Sequence, residues 1–193
     1  MSLVKLNGEK IKTCVFISGR GTNLSSIIKS SRDYNFPIKI SLIISDNVNA
    51  FGLRYAKKYN IPFKVFTSKN KFNFESKALL ELKNKNIKLI CLAGFMRILS
   101  SNFIEQFKYK ILNIHPSLLP KYKGIGTHKR VLKNNDKYTG CTVHLVTSKL
   151  DSGPVILKKK VLINKNDNEK TLSYKVLKQE HLAYSHAIRL ICK

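Results

Sequence analysis

Acidic side chains are scarce: 11 Asp and Glu stand against 36 Lys and Arg, a formal charge of +25 at pH 7. A surface of that sign attracts polyanions, so nucleic-acid binding is the first function class to weigh. Arginine, the better reader of bases, is also scarce, with six residues against 30 lysines. Lysine is scattered through every segment, and Asn (17 residues) and Ile (20 residues) are abundant with it. AT-rich codons produce that mixture, which argues against a nucleic-acid partner. Where acids are so few, the placement of Asp151 and Glu180 becomes informative.

Other absences narrow the class further. Cys14, Cys91, Cys141 and Cys192 are far apart, lie mostly in apolar runs and form neither a CxxC pair nor a Cys/His cluster. They read as small buried hydrophobes rather than zinc ligands. No apolar run reaches the length of a membrane span. The start, Met1-Ser2-Leu3-Val4-Lys5, lacks a secretory signal, so the expected compartment is the cytoplasm. A length of 193 residues fits one domain with a substantial core, and no repeat or linker divides it.

Strand and helix patterns alternate along the chain. Residues 12–18 are a β-rich apolar run that ends at Gly19, after which Leu24, Ile27 and Ile28 recur at helical spacing to about Ser31. Strands are expected at 37–44, 63–66 and 87–93, with helices over 51–59 and 74–84. Ser45, Asp46 and Asn47 read as a turn and helix cap, and 69–73 as polar loop. A helix begins near Ser100 or Ser101, a strand covers 110–114, and an unusually long loop runs over 116–126. Thr127 can cap a helix to about Asn134; a strand follows over 137–147, a turn over 149–153, an antiparallel strand over 154–163 and an amphipathic helix over 169–191. The pattern predicts an α/β fold, a single doubly wound, mostly parallel sheet with an antiparallel C-terminal portion. Sites in such sheets lie beyond the carboxyl ends of the strands.

Two stretches carry chemistry. Gly19-Arg20-Gly21-Thr22-Asn23 joins a strand to a helix, where backbone N–H groups and the helix dipole favour an anion. It is neither GxGxxG nor a GK[ST] loop, so nicotinamide or ATP chemistry is not indicated, and a plain tight turn is the bland alternative. The second stretch is Asn113-Ile114-His115-Pro116. Strand alternation puts Asn113 and His115 on one face, and Pro116 keeps His115 extended. With Asp151 just beyond another strand, an amide, an imidazole and a carboxylate can converge. That set suits acyl transfer: Asn and a protonated His donate to a developing oxyanion, and Asp raises the His pKa and handles protons. Ser117 lacks the GxSxG setting of a hydrolase nucleophile.

The chain resembles the glycinamide ribonucleotide formyltransferases, the folate-dependent transformylases of purine synthesis. The matching pieces, in order, are Ile17 to Leu24, Ala50 to Leu53, Leu92 to Ser100, Ile111 to Tyr122, Thr142 to His144, Leu150 to Leu157 and Gln179-Glu180-His181. The resemblance implies catalytic Asn113, His115 and Asp151, with Gly21, Thr22 and Asn23 on the ribonucleotide phosphate and Glu180 on its ribose. It implies a folate pocket at Met96, Arg97, Ile98 and Leu99, with Asn113 also at the folate, and His144 in support. The implied substrates are glycinamide ribonucleotide and 10-formyltetrahydrofolate, without a metal, in a monomer or homodimer. The nucleotide-binding half would cover about 11–100 and the folate and catalytic half about 101–193. A protonated His115 implies activity that falls at high pH.

The sequence also departs from the family. The family loop commonly reads Pro-Gly-x-His-Thr-His, whereas Lys123 and Gly126 replace the proline and first histidine and only His128 remains. The segment 69–75 lacks the arginine that in some members contacts the folate tail. Methionyl-tRNA formyltransferases share the Asn-x-His and Asp chemistry but carry a further C-terminal domain. Formyltetrahydrofolate hydrolases add a regulatory domain and usually have a second histidine where Pro116 stands.

Overall fold

The computed structural model describes residues 9–68 and 70–192, so the reading of the first five residues and of Lys69 lies outside it. One seven-stranded sheet forms the centre, in the order β3-β2-β1-β4-β5-β6-β7. Its strands are β1 (Ile11–Ile17), β2 (Ile38–Ser45), β3 (Phe63–Val65), β4 (Leu89–Leu92), β5 (Lys110–His115), β6 (Tyr138–Leu145) and β7 (Val155–Leu162). The first five pair in parallel, whereas β5 with β6 and β6 with β7 are antiparallel. The expected sheet is therefore the observed one.

Both faces are covered. Val15 and Ile17 of β1 pack with helices α1 (Thr22–Ser31), α2 (Leu53–Lys58) and α6 (Glu169–Ile191), while Cys14 and Phe16 pack with α3 (Lys71–Asn84) and α4 (Ser101–Phe107). That is why the strand reads as an almost unbroken apolar run: neither face meets water. Phe16 also meets the rings of Phe74, Phe95 and Phe103 edge-on, with centroids 5.3 to 6.2 Å apart. The remaining helix, α5 (Thr127–Lys133), follows the long loop. On α6, the buried Tyr184 hydroxyl faces the carbonyls of Leu92 at 3.0 Å and Leu112 at 3.1 Å. The helix is thereby fastened to the carboxyl end of β4 and to mid-β5. No helix among the described residues is long and apolar enough to cross a membrane.

Several local expectations are revised. Asn47 does not cap α2, which begins at Leu53 behind Gly52; its amide donates to the Ser18 carbonyl at 3.0 Å instead. The helix expected from 74 begins at Lys71, because Asn70 caps it by accepting the Asn73 N–H. A polar first turn was mistaken for loop. Thr127 is the first residue of α5 rather than its cap, since Gly126, at φ 67°, makes the turn.

The turn after β1 is held by backbone against backbone. Gly21 sits at φ 71°, and a Cβ there would lie 2.5 Å from the Gly52 Cα. No rotamer relieves that overlap, and the left-handed conformation adds strain. Gly21→Ala should lower stability by roughly 1–3 kcal/mol. An unchanged urea midpoint would show that the two turns are free to separate.

Candidate active site

In a doubly wound sheet the crevice opens where neighbouring strands are continued in opposite directions, here between β1 and β4. The turns after those two strands are stitched together. The Ser18 N–H donates to the Gly94 carbonyl at 3.2 Å, and the Ser18 hydroxyl accepts the Met96 N–H at 2.9 Å. A cavity of about 460 Å³ opens over this seam, reaching from Asn23 across Gly94–Leu99 to Asn113, His115 and Asp151. A larger cavity of about 650 Å³ lies behind residues 118–122 among lysines, but it holds none of these polar groups. The smaller one is the candidate site.

The register of β5 and β6 sets Asn113 opposite His144 and His115 opposite Thr142. Asp151 arrives on the loop between β6 and β7, at φ 45°, and its carboxylate faces both histidines. Asp151 Oδ2 accepts the Gly124 N–H at 2.9 Å and lies 3.3 Å from His115 Nδ1. His115 Nε2 is 2.8 Å from the Tyr122 carbonyl. A carbonyl only accepts, so the Nε2 proton is fixed and Nδ1 is the nitrogen turned to the carboxylate. By the same reasoning His144 donates from Nδ1 to the Leu145 carbonyl at 2.8 Å, leaving Nε2 to accept from Asn113 Nδ2 at 3.3 Å. The 3.6 Å between His144 Nε2 and Asp151 Oδ1 exceeds a hydrogen bond; the attraction there is electrostatic and needs a protonated ring. Asn113 Nδ2 also lies 3.5 Å from Asp151 Oδ1. The sequence-predicted Asn113, His115, Asp151 and His144 are thus brought together.

Burial dominates the electrostatics. It lowers the His115 pKa below its ordinary value, against the Tyr122 carbonyl and the Asp151 charge, which both pull it up. The expectation that Asp151 raises the net value is overturned, because desolvation is the larger effect. For Asp151 burial acts to raise the pKa, but contacts with His144, Gly124 and His115 outweigh it, and the carboxyl stays below the usual range. Burial raises the pKa of Glu180, whose carboxylate accepts from Asn23 Nδ2 at 2.7 Å.

The remaining expected residues divide. Gly21, Thr22 and Asn23 form the entry to α1, and the contact between Asn23 and Glu180 closes the site across 157 residues of chain. The two expected halves therefore share this end of the site. Met96, Arg97, Ile98 and Leu99 all line the cavity, and the Arg97 guanidinium is engaged by its own partners. It bonds Asp46 at 3.0 Å and the Ser68 carbonyl at 2.7 Å and lies over the Phe74 ring. Sequence reading missed Tyr122, Gly124, Ser18 and Asp46. The first two act through backbone groups, which residue type does not advertise. Among the described residues no cluster of His, Cys, Asp and Glu is arranged to hold a metal.

The family model described as "Formyl transferase" matches residues 11–188, and the chain belongs to that family of enzymes. Its branch is that of the phosphoribosylglycinamide formyltransferases. The enzyme of that name from Haemophilus influenzae is 40% identical over 92% of this chain and 85% of its own length. The crystal structure of the one from Brucella melitensis superposes with a TM-score of 0.89, at 39% identity over 94% of this chain and 95% of that one. The trifunctional purine biosynthetic protein adenosine-3 of Gallus gallus is 41% identical over 97% of this chain, which spans only 19% of that longer protein.

Burial lowers the pKa of His128 and His181 as well as that of His115. A histidine whose folded pKa is depressed takes up protons more readily in the unfolded chain, so stability is lost as pH falls through the unfolded value. Glu180 works in the opposite sense, but one carboxylate stands against three imidazoles. The melting temperature should therefore fall as pH drops from about 7.5 to about 5.5, before most carboxylates titrate. A flat profile over that range would mean these rings titrate as if exposed.

Proposed function

We propose that the chain transfers the formyl group of 10-formyltetrahydrofolate to the primary amine of glycinamide ribonucleotide, a step of purine synthesis. The observation that carries the reading is the meeting of Asn113, His115 and Asp151 in a cavity whose other wall is the Gly94–Leu99 turn. The rim of that cavity is apolar and open: Met96 is 75% exposed, Ile98 56%, Ile125 88% and Leu150 47%. Such a rim suits the flat ring system of a folate. At the other end Asn23 Oδ1 is buried without a hydrogen-bond partner, fit to accept from a sugar hydroxyl. The first turn of α1 offers backbone N–H groups to a phosphate.

The chemistry follows from the protonation states. The lowered pKa of His115 makes the neutral ring its resting form near neutral pH. Its bare Nδ1 then faces an ionised carboxylate at 3.3 Å, two acceptors side by side that together attract a proton. The substrate amine attacks the formyl carbon, and the carbonyl electron pair moves onto oxygen. The proton released by the amine passes to His115, and Asp151 stabilises the resulting imidazolium. The Asn113 amide donates to the oxyanion; its present contacts, at 3.3 and 3.5 Å, are weak enough to exchange. When the oxygen pair returns, the bond to folate N10 breaks, and the imidazolium gives that nitrogen its proton. Holding both substrates in place contributes up to roughly 7–11 kcal/mol to such a step.

Asn113→Ala and His115→Ala should each slow transfer by about 10²–10³-fold. The sequence-based expectation of a protonated resting His115, with loss of activity at high pH, gives way to the opposite limb. kcat/KM should fall as pH drops through the depressed His115 pKa, on the acid side of the ordinary imidazole value of about 6.5, and level off above. The assay is formyl transfer to glycinamide ribonucleotide, with methionyl-tRNA and water as competing acceptors. Turnover with tRNA alone, or wild-type rates in either variant, would sink the reading.

A further inference from the structure

Apart from Lys108 at the end of α4, Tyr122 is the one described residue other than Gly, Asn and Asp with a left-handed backbone. It adopts φ 57°, a left-handed conformation that side chains other than Gly, Asn and Asp seldom occupy. Three contacts hold it there. Its hydroxyl donates to Asp136 Oδ2 at 2.8 Å and accepts from Asn134 Nδ2 at 2.9 Å. The Arg130 guanidinium lies over its ring, 5.3 Å from the centroid, and also bonds the Lys123 carbonyl at 2.7 Å. Two chain positions then point inward. The Tyr122 carbonyl meets His115 Nε2 at 2.8 Å, and the Gly124 N–H meets Asp151 Oδ2 at 2.9 Å. One short run of loop thus addresses both members of the acid–base pair.

We propose that Tyr122 is a positioning residue: its phenol, latched to Asp136 and Asn134, holds the loop carbonyl that fixes the His115 tautomer. The inference rests on the function proposed above, since it concerns the ring that moves the proton there. Without the latch the left-handed turn relaxes and the carbonyl leaves Nε2. A neutral ring then places its hydrogen on Nδ1, where Asp151 accepts it at 3.3 Å. The nitrogen facing the carboxylate is no longer a base, and the free lone pair points into the loop. A glycine at 122 would suit the backbone better, but it cannot reach Asp136. A strained tyrosine where glycine would be relaxed points to a side chain with a task.

The ring of His115 also feels Asp151, His144 and Arg130, and it lowers the pKa of His128. A change in its titration must therefore be traced to the latch itself. Asp136 has a second contact, Lys121 at 3.7 Å, which lies on the surface and away from His115. Asp136→Asn keeps an acceptor for the phenol and removes only the charge. Tyr122→Phe, Tyr122→Gly and Asp136→Ala all break the latch.

The test reads the His115 ring directly by long-range ¹H–¹⁵N correlation, with formyl transfer beside it. The unaltered protein and Asp136→Asn should show the Nε2–H tautomer. The three latch-breaking variants should gain Nδ1–H, and their rings should titrate roughly half a pH unit lower, the effect of one lost hydrogen bond. Their kcat should drop on the order of tenfold with KM for the ribonucleotide unchanged, because Tyr122 is not among the residues around Gly21 and Asn23. An Nε2–H tautomer and an unshifted titration in Tyr122→Phe would overturn the proposal, even if that variant melted lower. Rescue of the Nε2–H state by Tyr122→Gly would overturn it too, showing that backbone conformation alone suffices. The spectra need no turnover, so absence of formyl transfer in the unaltered protein would count against the function and leave the tautomer result to decide the latch.

Discussion

One strand, β5, is paired in parallel on one side and antiparallel on the other, and the site depends on that reversal. The parallel partner β4 brings its carboxyl end, with the Gly94–Leu99 turn, up beside the end of β5. The antiparallel partner β6 runs the other way, so His144, next to the last residue of that strand, stands opposite Asn113. The chain must then return from β6 to β7, and the loop that does so carries Asp151. A wholly parallel sheet would need a crossover helix at that point, with no loop free to fold back over the strand end. Reversal of direction is what lets three polar groups from distant stretches meet at one strand.

Bringing them together has a physical consequence in the pKa values. Each group is taken largely out of water, and each compensates differently. Asp151 gathers a backbone N–H and neighbouring rings and stays ionised. His115 has a carbonyl on one side and a carboxylate on the other, yet burial still favours its neutral form. An ionised acid beside a neutral base is the arrangement that general acid–base chemistry near neutral pH requires. Of the chain's many cations Arg130 acts on the His115 ring, while the lysines are mostly at the surface.

The sequence made a good deal of this legible. Periodicity and glycine punctuation located the strands and helices, because both-face burial writes an apolar run and a one-sided helix writes a stripe. The triad was readable because Asn113 and His115 are two residues apart on a strand, which fixes their common face. Three kinds of feature were not readable. Arg97 lines the cavity where the sequence reading puts it, but the pairing of its guanidinium with Asp46 depends on how β2 and β4 are spaced in the sheet, and no local pattern encodes that. The Tyr122 carbonyl and Gly124 N–H are backbone groups that any residue carries. The direction of the His115 pKa depends on how much water reaches it, a quantity of the whole fold.

Asn23 and Glu180 are 157 residues apart, and they meet only when α6 has docked. Tyr184, one helical turn on, fastens that same helix to β4 and β5. A growing chain on the ribosome therefore carries its first loop, its turn after β4, His115 and His144 before the helix that brings Glu180 to Asn23 exists. Contacts of such sequence separation form late, since the intervening chain must be ordered first. The buried contact between Asn23 and Glu180 thus arrives with the final helix rather than accumulating strand by strand. A partly made chain has the polar groups at the end of β5 but not the contact that closes the far end of the cavity.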